Sequence, residues 1–144
     1  MFSILHGDMF SAKTEAIVNP VNCVGVMGAG VALQFKRRWP AMFTDYQYVC
    51  KMGQLDIGKL HVYQHHTLTI LNVPTKHHWR NPSKLSWVVQ GVTSVVEYCE
   101  ANNINSVTWP LIGCGCGGLA QKDVVTVMHK LLTPGSVNHV LYLI

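Results

Sequence analysis

The order of apolar segments along the 144 residues predicts an α/β fold, with a mixed, mostly parallel sheet covered by helices on both faces. Short apolar segments typical of buried strands alternate with stretches of helical composition. Two glycine-rich loops lie where a strand passes into a helix, and ligands of such sheets bind beyond the carboxyl ends of the strands, where these loops converge. We therefore expect a single three-layer α/β/α domain over residues 1–144, with its site at that edge.

The first half of the chain is predicted to hold two strands and then two helices. The first strand is closed by the turn-forming pair Gly7-Asp8, and the second ends near Pro20. A loop of small residues leads into the first helix, and Pro40 suits the first turn of the second helix. The predicted segments are strands Phe2–His6 and Ala16–Val21 and helices over residues 31–37 and 41–52.

The second half is predicted to begin with a hairpin and to continue with a long amphipathic helix. Strands over residues 60–64 and 67–73 are joined by a tight turn at His65-His66. Ser83 is the expected N-cap of the next helix. Apolar residues recur there at the spacing of one helix face, namely Leu85, Val88, Val89, Val92, Val95, Val96 and Cys99. Strand Ser106–Trp109, helix Gln121–Leu132 and a strand over residues 137–144 complete the expected fold.

Composition excludes several classes of protein. With 49% hydrophobic and 12% charged residues, the chain is neither disordered, collagen-like nor a coiled coil. Its longest apolar runs are far shorter than the roughly 20 residues of a membrane span, and MFSILHGD does not resemble a secretion signal. We expect a cytoplasmic protein without a membrane partner, whose net charge of +4 suits an anionic ligand.

The cysteines and histidines do not indicate a metal site. The five cysteines are an odd number in a chain without an export signal, so we expect reduced thiols. Cys114 and Cys116 are spaced C-x-C rather than C-x2-C, and no second pair supplies further zinc ligands. We interpret the separate histidines as polar or edge residues; they are His6, His61, His65, His66, His129 and His139.

The two glycine-rich loops are suited to phosphate. Backbone N–H groups at a helix N-terminus lack helical partners, and glycines permit close approach of an anion. The first loop reads Gly25-Val26-Met27-Gly28-Ala29-Gly30 and the second Gly113-Cys114-Gly115-Cys116-Gly117-Gly118. Neither is a Walker loop or a dinucleotide fingerprint. Each alone is equally compatible with a tight turn for packing; together, across one crevice, they predict a site for two phosphates.

A basic loop with an aromatic residue follows the predicted strand over residues 67–73. It contains Lys76, His77, His78, Trp79 and Arg80 directly after Pro74-Thr75. Cations contact nucleic-acid phosphates and a ring stacks on bases, so this composition suits a nucleic-acid strand. The alternative is a solvated loop in which Trp79 only packs against the domain.

Four motifs together resemble the macrodomain family, the ADP-ribose-binding fold. They are Gly7-Asp8 after the first strand, Ile17-Val18-Asn19-Pro20-Val21-Asn22, Gly28-Ala29-Gly30-Val31-Ala32, and Ile112-Gly113-Cys114-Gly115 before a helix. Within that family the first glycine loop, with Asn72-Val73-Pro74-Thr75-Lys76 and His78-Trp79-Arg80, resembles the macrodomain of DarG antitoxins. Those enzymes remove ADP-ribose from thymidine in DNA and so reverse the DarT toxin.

The resemblance implies a set of site residues and no cofactor. Lys76 would work at the anomeric carbon, as a Schiff-base nucleophile or as an ammonium that assists departure of the base, and Asn22 would lie near the distal ribose. Asp8 would contact the adenine, and His78, Trp79 and Arg80 the DNA. The remaining ADP-ribose ligands would be Met9, Asn19, Gly28, Ala29, Gly30, Val31, Gly113, Cys114, Gly115, Cys116, Gly117, Gly118 and Leu119. The implied partners are ADP-ribosylated DNA and a DarT-type toxin, and we expect a monomer.

The sequence leaves alternatives open. The chain also resembles, more distantly, the terminal ADP-ribose protein glycohydrolase. That enzyme has an acidic residue in the second loop, whereas this sequence has Gly117 at the matching position. A reader that binds ADP-ribose without turnover would use the same pocket but would not need Lys76. An RNA-binding module would need no pocket at all. Asp8 could simply cap a turn, Asn19 and Asn22 could simply satisfy backbone groups, and the chain is either a stand-alone enzyme or a domain of a longer protein.

Overall fold

A computed structural model describes residues 1–144 and confirms the α/β class. Each parallel strand of the sheet except the last is followed by a helix or a short helical turn, because glycine, proline and polar residues separate the apolar segments. The strands are β1 (Phe2–His6), β2 (Ala16–Val21), β3 (His61–His65), β4 (Leu68–Pro74), β5 (Ser106–Trp109) and β6 (Asn138–Leu143). The helices are α1 (Gly30–Arg38), α2 (Pro40–Lys51), α3 (Leu85–Asn102) and α4 (Gln121–Leu132), with a 3-10 turn at Met9–Ser11.

The six strands form one sheet in the order β1-β6-β5-β2-β4-β3. All neighbours are parallel except β3, which runs antiparallel to β4 at one edge. The sheet is therefore mixed and mostly parallel, as predicted. Since β1, β6, β5, β2 and β4 point the same way, the loops after all five strands meet at one edge.

Two apolar layers cover the sheet. One face packs on α3 and α4 through a cluster that includes Val18, Leu71, Val92 and Met128. The other face packs on α1 and α2 through a second cluster that includes Ile17. Successive residues of a strand point to opposite faces, so Ile17 and Val18 enter different clusters. None of the helices combines the length and the apolarity that crossing a membrane requires.

The predicted boundaries agree with the structure except at a few positions. Strands β3 and β4 are each displaced by one residue, because the hairpin turns at His66-Thr67, where His66 adopts φ +52°. The 3-10 turn after β1 was not predicted. The prediction that Ser83 caps α3 is wrong: Lys84 occupies the N-cap without a side-chain hydrogen bond, and the Ser83 hydroxyl bonds the Thr75 carbonyl.

Two histidines differ from the predicted polar or edge positions. His61 is 5% exposed, with Nε2 2.6 Å from an Asp45 carboxylate oxygen and Nδ1 2.8 Å from the Asn72 amide nitrogen. His139 is 2% exposed and accepts a hydrogen bond from the Trp109 indole at 3.0 Å. Both ring nitrogens of His61 and Nδ1 of His139 thus have polar partners, which lowers the cost of burying these rings.

Candidate functional site

A long groove crosses the carboxyl ends of the five parallel strands. It consists of two adjoining cavities of about 560 Å³ and about 630 Å³. The first lies over the ends of β2 and β4, and the second over the ends of β1 and β6. Both cavities are lined by Val31, Leu111 and Gly115, so these residues mark the point at which they meet. The groove lies where the parallel topology predicts a site.

The first glycine loop forms one wall of the groove. Gly28, Ala29, Gly30 and Val31 all line the first cavity, and α1 begins at Gly30. Gly30 has φ +57°, a conformation that favours glycine. No side chain caps α1, so its first backbone N–H groups remain available to an anion, which the positive end of the helix dipole also favours.

Asn22 lines the same cavity and organises that loop. Its Nδ2 donates to the Val26 carbonyl at 2.8 Å, and its Oδ1 accepts from the backbone N–H groups of Val24 and Val26 at 3.1 and 3.4 Å. The buried Tyr46 hydroxyl lies 2.8 Å from the Asn22 carbonyl oxygen and 2.9 Å from its Oδ1. Most of the hydrogen-bonding capacity of Asn22 is therefore spent on loop geometry, with one amide N–H left for a ligand.

Lys76 lies at the end of the first cavity, two residues beyond β4. Its side chain is 8% exposed, and its Nζ donates to the Trp79 carbonyl at 3.0 Å. Lys76 forms no salt bridge, and it is the only charged side chain that lines this cavity. An ammonium has three N–H donors, so two remain for a bound molecule.

The second glycine loop forms the opposite wall, and glycine is needed at its positions for different structural reasons. Gly113 has φ +75°, a backbone conformation that favours glycine. A Cβ on Gly117 would lie 2.5 Å from the Gly113 carbonyl oxygen, so the loop closes on itself too tightly for any side chain there. A Cβ on Gly115 would meet nothing within 4 Å. Gly115 therefore presents bare backbone to the groove, which permits close approach of a phosphate.

The two loop cysteines lie on either side of this junction. Cys116 lines the first cavity and Cys114 the second. Burial raises the pKa of the Cys114 thiol, so this group stays protonated at neutral pH. A protonated thiol is a poor nucleophile.

Asp8 and Met9, two of the predicted ligands, line the second cavity. The Asp8 side chain accepts from the Phe10 backbone N–H at 2.9 Å and so caps the 3-10 turn. Only Oδ1 takes part, which leaves Oδ2 for a donor on a ligand. Phe10 also lines this cavity and lies edge-on to Phe35 at 5.1 Å between ring centroids.

Three predicted ligands do not line the groove. Asn19 is fully buried. Its Nδ2 lies 2.9 Å from the side-chain oxygen of Asn72 on β4, to which it donates, and 3.7 Å from the Met27 sulfur. It faces away because Asn19 and Val18 point to opposite faces of β2 and both faces are covered. Leu119 packs against the α3 and α4 cluster, and Gly118, with φ +77°, turns the chain toward α4. The lining of the groove therefore does not include these three predicted ligands.

The predicted DNA-contact residues form a stack at the Lys76 end. Trp79 is 44% exposed and lines the first cavity. The His78 ring stacks on it at 5.2 Å between centroids, and the Arg80 guanidinium lies 4.7 Å from the indole centroid. His78 and Arg80 do not line the groove, so they lie beside its mouth.

Several lining residues were not predicted. They include Thr75, Pro110 and Leu111 just beyond strand ends, Val26 and Phe10 in the segments that follow β2 and β1, and Tyr142 within β6. Leu111 is the most informative, since it follows β5 by two residues and lies at the junction of the two cavities. Its position beyond the carboxyl end of a central strand was the signal that could have identified it.

Comparisons with known proteins agree with this geometry. A family model described as Macro domain matches residues 18–128. A relative from Mycobacterium tuberculosis, named DNA ADP-ribosyl glycohydrolase, is 51% identical over 128 residues, which cover 86% of this chain and 36% of the relative. The chain therefore spans about a third of the length of that curated relative.

Two solved structures share the whole fold. The macrodomain of Thermus aquaticus DarG matches with a TM-score of 0.93 and 37% identity, covering 100% of this chain and 99% of that one. Thermosipho africanus DarTG, solved in complex with ADP-ribose, matches with a TM-score of 0.93 and 32% identity, covering 99% of this chain and 41% of that one. Together with the family model, which matches most of its residues, these similarities show that the chain belongs to the macrodomain family.

Proposed function

We propose that this domain is an ADP-ribosyl glycohydrolase that releases ADP-ribose from thymidine bases in DNA and so reverses the modification made by a DarT-type transferase. The mycobacterial relative named DNA ADP-ribosyl glycohydrolase supports the activity. The Thermosipho relative is named as a fusion of a DNA ADP-ribosyl transferase with a DNA ADP-ribosyl glycohydrolase, which supports a transferase partner.

The observation that carries the proposal is the placement of Lys76. A mostly buried ammonium group without a carboxylate partner is costly unless the site uses its charge or its nucleophilicity. Lys76 occupies the end of a groove whose opposite walls are glycine loops suited to a diphosphate. ADP-ribose laid along the groove places its adenine near Asp8, its phosphates between Val31 and Gly115, and its terminal ribose near Lys76.

Two chemical uses of Lys76 fit this placement. As an ammonium it donates a proton to the departing thymine while the glycosidic bond breaks; water then adds its hydroxyl to C1 and returns a proton to the Lys76 amine. As a free amine it attacks C1 of the ring-opened sugar, thymine leaves with its proton, and water hydrolyses the resulting Schiff base to ADP-ribose and the lysine. The first use needs no covalent intermediate. Reduction with borohydride during turnover traps a protein–ADP-ribose adduct only in the second case.

The lining of the first cavity differs from that of a protein glycohydrolase and suits a nucleic-acid base. The first cavity has no Asp or Glu, which the terminal ADP-ribose protein glycohydrolase pattern places in the second loop. Its mouth is instead formed by Val26 and Trp79, which are 37% and 44% exposed. Apolar and aromatic surfaces of this kind suit a planar base, and Arg80 beside Trp79 suits the DNA phosphates that flank it.

The experiment is a release assay on an oligonucleotide with one ADP-ribosylated thymidine. The wild-type protein should release free ADP-ribose, whereas Lys76→Ala should reduce the rate by at least about 1,000-fold, because nucleophile or acid is then missing. Lys84→Ala is the matched control, since Lys84 is an exposed lysine that does not line the groove. Calorimetry should give the Lys76→Ala protein an ADP-ribose affinity within several-fold of wild type.

The other outcomes select other functions. Binding of ADP-ribose without release from any substrate would identify a reader. Release from a peptide carrying glutamate-linked ADP-ribose, without release from the oligonucleotide, would identify a protein glycohydrolase. Tight RNA binding without ADP-ribose binding would contradict the use of the groove altogether.

A further inference from the structure

We propose that Ser83 is a positioning residue that couples the Lys76 segment to the second glycine loop and so sets the distance between the lysine and the diphosphate site. The inference rests on the proposed function for its kinetic part. Ser83 is 6% exposed, lies just before α3, and does not line the groove.

Ser83 donates a hydrogen bond to each of the two segments. Its hydroxyl donates to the Thr75 carbonyl oxygen. Its backbone N–H donates to the Gly117 carbonyl oxygen at 2.8 Å. Neither carbonyl receives a hydrogen bond from any other group, so one residue supplies the partner of both buried acceptors.

The bond to Thr75 bears directly on Lys76. The Thr75 carbonyl and the Lys76 N–H belong to one planar peptide unit, so holding the carbonyl oxygen fixes the orientation of that plane. The plane in turn sets the direction in which the Lys76 side chain leaves the backbone. On its other side Thr75 is held by its N–H, which donates to the Val21 carbonyl at 2.9 Å.

The second glycine loop packs closely around Ser83. A Cβ on Gly113 would lie 3.4 Å from the Ser83 hydroxyl oxygen and 2.9 Å from a Val88 methyl group of α3. Gly117, whose carbonyl oxygen accepts the hydrogen bond from the Ser83 N–H, lines the first cavity and lies against Gly113. Ser83 therefore links the backbone next to Lys76 to the loop that faces it.

The test compares Ser83→Ala with Ser94→Ala. Ser94 is the matched control because its hydroxyl donates to the Gly91 carbonyl at 2.7 Å within α3 and forms no hydrogen bond with either loop. At a temperature where both proteins are folded, Ser83→Ala should lower kcat on the modified oligonucleotide by about 10- to 100-fold, since a displacement of about 1 Å has that effect. KM and ADP-ribose affinity should stay within about threefold, and Ser83→Thr, which keeps the hydroxyl, should recover most of the rate.

Hydrogen exchange supplies a readout that is independent of turnover. In Ser83→Ala, backbone amides of residues 75–80 and 113–119 should exchange faster together, whereas in Ser94→Ala they should not change. A kcat equal to that of Ser94→Ala, or no recovery in Ser83→Thr, would overturn the positioning role. If the wild-type protein releases no ADP-ribose, the proposed function fails, but hydrogen exchange still tests the coupling. In that case, faster exchange in Ser83→Ala that is confined to only one of the two segments would refute the coupling.

Discussion

Replacing Gly115 with glutamate should weaken ADP-ribose binding strongly without unfolding the domain. Gly115 lies at the junction of the two cavities, and a Cβ built there meets no atom within 4 Å. Its backbone is outside the positive-φ region that disfavours side chains. We therefore expect the melting temperature to stay within about 2 °C of wild type, in line with a surface substitution.

The magnitude follows from Coulomb's law. A carboxylate about 6 Å from each phosphate, in an exposed loop with an effective dielectric constant of about 40, is repelled by about 1.4 kcal/mol per charge. Two phosphate charges give about 2.8 kcal/mol, which corresponds to a Kd raised about 100-fold. The bulk of the side chain adds to this loss.

Calorimetric titration of ADP-ribose into the wild-type, Gly115→Gln and Gly115→Glu proteins separates the effect of charge on affinity from the effect of side-chain size. Glutamine has the same size without the charge, so the difference between the two variants measures repulsion. That difference should shrink as salt is raised from 50 mM toward 1 M, because the screening length falls to about 3 Å. A Gly115→Glu protein that binds within threefold of wild type would show that the diphosphate does not lie at this junction.

Three further predictions concern other parts of the molecule. Gly117→Ala should lower the melting temperature by about 6 °C, because its Cβ would overlap the Gly113 carbonyl oxygen at 2.5 Å and overpacking costs about 2 kcal/mol; an unchanged melting curve would contradict this. Arg80→Ala should raise KM for the modified oligonucleotide most at low salt and leave free ADP-ribose affinity unchanged, since Arg80 lies outside the groove; equal weakening of both ligands would contradict it. Burial, aided by the N-terminal amine, lowers the pKa of His139 from 6.5 to about 4. The unfolded chain therefore takes up a proton first as pH falls, and the free energy of unfolding should drop by up to about 3 kcal/mol between pH 6.5 and pH 4. Denaturation of His139→Gln, measured across that range, should show a smaller drop.

The sequence by itself determined the elements and the edge at which the site lies. Apolar segments separated by glycine and proline specify strands and helices through local periodicity, which needs no tertiary information. Lys76 and the two glycine loops each follow a strand within a few residues. In a parallel sheet the residues that follow strands come to one edge, so their convergence could be predicted before any coordinates.

Only the tertiary structure decided which residues of a given sequence motif face the groove. Asn19 and Asn22 are three residues apart in one motif, yet Asn19 is fully buried against Asn72 while Asn22 lines the first cavity. The same holds for Ser83, whose local sequence suggests a helix cap but whose hydroxyl bonds the Thr75 carbonyl. His61 and His139 are buried for a similar reason, because their partners come from other elements. Such contacts join residues far apart in the chain, and a pattern of neighbouring residues carries no information about them until the elements are packed together.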